Sequence, residues 1–185
     1  MDCLILREKK MNYEQIPPET KDWTVVLRDG CPECGFQPGY DYGENVQRLR
    51  ALEAPIMTAF NRPEQELYVR PQKNTWAPIE YLAHCAEVCE VMSQRLEWML
   101  IHENPEFALW DQDAAAVDGE YLNRPVGSVK RDLLTNLHHA ASEFENVPED
   151  LLQRTGRRSD GGRFTIQTLA EYFVHDLEHH IHRDI

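Results

Sequence analysis

The segment from Thr75 to Ile101 does most to limit what this chain can fold into. Ile79, Leu82, Ala86 and Cys89 recur along it at three- and four-residue steps, with no glycine and with a single proline, Pro78, near its start. Apolar residues at that period make one stripe on an α-helix, and a helix of about 25 residues must bury that stripe against partners of similar length. Thr75 is expected to cap it, with Pro78 tolerated in the first turn.

Three other segments offer such partners. Glu44 to Phe60 places Val46, Leu49, Leu52 and Ile56 on one face and ends at Asn61-Arg62-Pro63, and Pro55 predicts a kink inside it. Ser128 to Phe144 carries Val129, Leu133, Leu137 and Ala140 or Ala141. The last begins after Phe164, with Thr165 as its cap, and carries Ile166, Leu169, Phe173, Leu177 and Ile181. Between them, FALWDQDAAAVDGEYLNRP reads as a loop with a short helical turn, PEDLLQRTG as a short helix, and Asp160-Gly161-Gly162 as a turn. No repeat and no strand alternation is visible. Residues 12 to 42 hold seven Gly and Pro residues with little periodicity, so residues 1–42 read as an irregular N-terminal arm and 43–185 as an all-α four-helix bundle with one long crossover.

A length of 185 residues with 42% hydrophobic content fits one domain with a sizeable core. No apolar run approaches the ~20 residues that span a bilayer. The opening MDCLILREKK has only a four-residue apolar patch, Cys3 to Leu6, so a signal peptide and a membrane partner are not expected and the cytoplasm is. Met11 is an equally good start, which would make the first ten residues a tail. A net charge of −13 argues against nucleic acid, whose backbone repels an acidic surface. Five cysteines, two of them inside a helix, do not make a secreted disulfide framework.

The chemistry concentrates in VHDLEHHIHRD, where four histidines fall within eight positions. His175 and His179 lie one helical turn apart, about 6 Å between Cβ atoms, and two imidazoles so placed can converge on one cation. A stable site wants a third ligand, and His84, well inside the second long helix, is the best candidate. Three histidines with an open position make a reactive site, because a bound water or thiol there loses its proton near neutral pH. Zinc is the first expectation for the divalent ion, with nickel, iron or manganese as alternatives. His180 and His182 are expected to be supporting or solvated, His102 to be at the surface, and at most one of His138 and His139 to face inward.

Taken in order, KDWTVVL, CPECGF, WAPIEYLAHCAEV, LWDQDAAAVDGEY and RTGRRSDGGRFTIQTLAEYFVHDLEHH resemble the DinB-like superfamily, especially its actinobacterial-type single-domain members, over about residues 20 to 182. The resemblance implies an up-down-down-up bundle, a homodimer, and a divalent metal on three histidines that map onto His84, His175 and His179. It also implies thiol S-transferase or isomerase chemistry with mycothiol, bacillithiol or glutathione acting on a small electrophile. The sequence ends three residues after His182, without the C-terminal domain that continues the mycothiol-dependent maleylpyruvate isomerases, so that particular reaction is not the expectation.

Two features stand beside the histidines. CPECG, Cys31 to Gly35, is similar to half of a zinc ribbon or a rubredoxin knuckle, and Cys85 with Cys89 is one possible second pair. The loop RTGRRSDGGR has four arginines in ten residues and suits a carboxylated substrate or the neutralisation of helix ends. Trp76, Trp110 and Tyr172 either line the site or pack in the core. The leading function is therefore a metal-dependent transferase using a low-molecular-weight thiol in stress or detoxification chemistry. A non-catalytic metal-binding stress-associated dimer and a metal-dependent hydrolase are the alternatives, with Glu80 or Glu178 as candidate base for hydrolysis.

Overall fold

The structure, a computed structural model, describes residues 16–185. The expectations for Cys3 to Leu6 and Met11 lie outside the described residues. The arm is irregular apart from a 3-10 turn, Trp23–Val25, that runs into a short helix, α1, Val26–Asp29. Then come α2, Tyr42–Ala51, α3, Glu53–Ala59, and a short α4, Glu64–Leu67. The remaining helices are α5, Pro78–Ile101, α6, Gln112–Asp118, α7, Val126–Glu145, and α8, Ile166–His179.

Helices α2 and α3 together form the first arm of a four-helix bundle completed by α5, α7 and α8. The break falls at Leu52, because Pro55 has no N–H to give the Ala51 carbonyl four residues back, and its ring crowds that carbonyl. Helix α5 packs on α7 and α8, and α2 packs on the same two, so α8 lies between the first arm and the longest helix. Leu49, Ile56, Leu82, Leu96, Leu133, Leu137, Phe144, Leu169, Phe173 and Leu177 are buried between them. The stripes read from the sequence are thus the core. No helix of the described residues is long and apolar enough to cross a membrane.

Two local expectations need correction. Thr75 does not cap α5; Ala77 takes that position with Pro78 first in the helix, and the Glu80 carboxylate accepts the Ala77 N–H at 2.8 Å. Strands are also present. β1, Glu106–Phe107, pairs parallel with β2, Thr155–Arg158, and β2 pairs antiparallel with β3, Arg163–Thr165. Strands this short cannot display an alternation that a sequence would reveal. Their role is positional: they tie the start of α8 to the segment after α5. Gly156 permits the approach, since a Cβ there would stand 2.4 Å from the Phe107 ring. Thr165 caps α8 as expected, its hydroxyl accepting the Thr168 N–H.

Candidate metal centre

Helix α8 presents two adjacent faces to different partners. Residues 175 and 179 share one face, whereas 176 and 180 share another, about 100° round the axis. The structure divides the three sequence-selected histidines between these faces. His175 and His179 meet Cys31 and Cys34 of the arm, all four ligand atoms lying within 4.8 Å of one another. His84, from α5, instead meets Asp176 and His180 within the same limit.

The His84 cluster is built from buried and half-buried groups. The His84 Nε2 lies 3.3 Å from Asp176 Oδ1, and the His180 Nε2 lies 3.6 Å from the same oxygen. On its other side the His180 ring holds Asp184 at 2.7 Å through Nδ1. That contact depends on how α8 ends. It passes into a π-helical turn, His180–Asp184, closed by Ile185 N–H to the His180 carbonyl, and the turn carries Asp184 back beneath the ring. A carboxylate accepting one imidazole N–H leaves the opposite nitrogen as the lone-pair donor, the arrangement that orients histidine toward a metal. His84 is enclosed by aromatic rings, with Trp110 stacked at 5.3 Å and Trp76 tilted at 5.4 Å. Its Nδ1 is buried without a hydrogen-bond partner among the described residues.

Electrostatics put these groups in their ligating forms. Burial lowers the pKa of His84 despite Asp176 beside it, and burial lowers His175 to about 4. Burial opposes ionisation of Asp176, yet the His84 hydrogen bond and the surrounding imidazoles hold its carboxyl at about 2. At neutral pH the cluster is a carboxylate with a neutral His84 imidazole, and two nitrogens with one oxygen suit a divalent cation.

Two cavities meet here. One, of about 300 Å³, is lined by Trp76, Tyr81, His175, Asp176, His180 and Asp184 among others. A second, of about 390 Å³, is lined by Trp110, Arg95, Arg158 and Asp160, and the two share Trp23, Tyr172 and Asp176. Arg95 is 7% exposed and, among the described residues, makes no ion pair; it touches the Met92 sulfur and the Phe107 ring. Arg158 pairs with Asp160 at 2.7 Å and adds its charge against Arg95.

The other sequence candidates fall elsewhere. Glu80 is fully buried but engaged by Arg70 at 2.7 Å, and Glu178 is paired with Arg48 at 2.6 Å, so neither carboxylate is free to act as a base. Cys85 and Cys89 are buried core residues that join no ligand cluster among the described residues. His138 and His139 are exposed and pair with Glu53 and Glu143. His182 is exposed, and His102 ends α5. Sequence reasoning missed Asp176 and assigned His180 a supporting place, although Asp176 and His180 also stand one helical turn apart.

The DinB superfamily profile matches residues 45–183. The fold is similar to that of YfiT from Bacillus subtilis, described as a probable metal-dependent hydrolase with an unusual four-helix bundle topology. The two share 16% identity at a TM-score of 0.69, over 77% of this chain and 83% of that one. No curated protein matches this chain. The profile covers every helix of the bundle and the cluster on α5 and α8, and this chain belongs to the DinB superfamily.

Proposed function

We propose that this chain is a divalent-metal-dependent enzyme that joins a low-molecular-weight thiol to a small anionic electrophile, with His84, Asp176 and His180 holding the ion. The observation that carries the metal assignment is the convergence of the His84 and His180 Nε2 atoms on one Asp176 oxygen, with Asp184 behind His180. A divalent ion bound there supplies Lewis acidity that keeps a coordinated thiol or water deprotonated near neutral pH. His84 and Asp176 are positioned to bind it, and Asp184 sets the tautomer of His180. Trp76 and Trp110 shield the His84 side from water.

Two cavities sharing Asp176 support a two-substrate reaction over a one-substrate one. Arg95, buried without an ion pair among the described residues, supports an anion in the second cavity, because a guanidinium takes a carboxylate in two parallel hydrogen bonds. Hydrolysis is the second reading, supported by the likeness to YfiT; it needs a water at the ion and a base, and the Glu80 and Glu178 carboxylates are already held by Arg70 and Arg48.

The test is metal content and a cobalt-substituted titration of the purified chain with mycothiol, bacillithiol and glutathione. The expected result is bound metal, its loss at this site in His84→Ala and Asp176→Asn, and a thiol-dependent change in the cobalt spectrum. A metal-to-protein ratio unchanged from the parent in both variants would overturn the site. A silent spectrum with all three thiols would overturn the transferase and leave hydrolysis, read with small carboxylated esters and amides.

A further inference from the structure

We propose that Cys31, Cys34, His175 and His179 form a second, closed zinc site that fastens the N-terminal arm to α8. The site is separate from the His84 cluster and does not depend on the function proposed for it.

Four observations converge. Two sulfurs and two imidazoles within 4.8 Å of one another are the donor set of a structural zinc centre. Bonds of about 2.3 Å to sulfur and about 2.0 Å to nitrogen in a tetrahedron set S and N about 3.5 Å apart. The Cys31 sulfur lies 3.5 Å from His179 Nδ1. Second, the cysteines sit in a turn shaped for the task. Cys31 N–H donates to the Phe36 carbonyl and Gly35 N–H donates to the Cys31 carbonyl, which closes the turn that carries both sulfurs. Gly30 and Gly35, at φ of +73° and +80°, permit this turn, and a Cβ on Gly30 would stand 2.7 Å from the Phe36 carbonyl oxygen.

Third, His179 turns Nδ1 toward the cysteine while its Nε2 faces the Asp184 carboxylate at 3.7 Å, which leaves Nδ1 as the nitrogen on the cysteine side. Fourth, the Nε2 of His175 is buried with no hydrogen-bond partner among the described residues, although this ring is packed by Trp23 and Phe36. A core that only needed to be filled would not leave it so. The cysteines are free thiols, and four protein donors fill the tetrahedron of a zinc ion, so the centre would hold structure without reacting. Cys31 and His179 are 148 residues apart in the chain. One ion would therefore tie the arm to the helix that also carries Asp176 and His180, fixing the rotation of α8 on which the other cluster depends.

The test uses the full chain, prepared under reducing conditions without chelator. Zinc is measured by mass spectrometry and followed during titration with an organomercurial thiol reagent, and the protein is then reconstituted with cobalt. The expected result is zinc released in step with thiol modification, and a near-ultraviolet thiolate-to-cobalt absorption in the parent protein. Cys31→Ser and Cys34→Ser each lose that absorption, whereas Cys34→His, which keeps four ligands, retains metal with a weakened band. His84→Ala and Asp176→Asn keep the band, so failure of the His84 site and failure of this one are read separately. Absence of a thiolate-to-cobalt band in the parent protein would overturn the proposal, as would a Cys31–Cys34 disulfide in chain purified anaerobically. The parent reading stands whether or not the serine variants fold.

Discussion

His175 offers a prediction that can be followed from burial to a measured slope. Its ring is 3% exposed and packed against Trp23 and Phe36, and that burial depresses its pKa from 6.5 to about 4. In metal-stripped protein the unfolded chain then takes up this proton first as the pH falls. Stability is complete above pH 6.5, declines as the pH drops through the interval to about 4, and declines no further on this account below it. A shift of that size, at about 1.4 kcal/mol per unit, amounts to roughly 3 kcal/mol. That is a large part of the ~5–15 kcal/mol that holds a domain together. Burial also lowers His84 and His179, so the total loss on acidification exceeds this share and the contribution of His175 must be read by difference. The assay is urea unfolding of chelator-treated parent and His175→Gln at pH 7.0 and at half-unit steps to 4.0. The parent should lose about 3 kcal/mol more than the variant over that interval. Equal slopes for the two proteins would refute the reasoning, because His175 would then titrate in the folded protein at its unfolded value of 6.5.

Removing the partner of a buried carboxylate should be costly: Arg70→Met leaves Glu80 without its ion pair and is expected to lose roughly 2–4 kcal/mol in chemical denaturation. Glu80→Gln should lose less, because its amide oxygen can still accept the Ala77 N–H. Thr165→Ala removes the cap of α8 and should cost about 1 kcal/mol, seen as a lower thermal midpoint. Phe173→Ala opens a cavity at a fully buried position beside Phe144 and should cost about 3–5 kcal/mol by the same measurement. His182→Ala, on an exposed residue outside both ligand clusters, should leave metal content and stability unchanged.

Much of the architecture was legible because helix periodicity is a local property. The stripes of α2, α5, α7 and α8 follow from which residues must leave water, and each became a buried seam. Thr165 as a cap and Pro55 as a break were likewise readable, since each rests on the chemistry of neighbouring residues. The short strands were not, because two to four residues carry too little pattern.

The site divides along the same line. The sequence by itself determined that α8 offers metal-type donors, and that His175 and His179 share a face. It offered Asp176 and His180 on the next face with equal regularity, and nothing local says which pair meets His84. That choice belongs to the rotation of α8 about its own axis, set when Leu169, Phe173 and Leu177 are buried between α2 and α5, with the small sheet holding the start of the helix. Only the tertiary structure therefore gave His84 the partners Asp176 and His180, and delivered the cysteines of a distant arm to His175 and His179. A helix fixes the angle between its own side chains, but which element each of them faces is decided by packing.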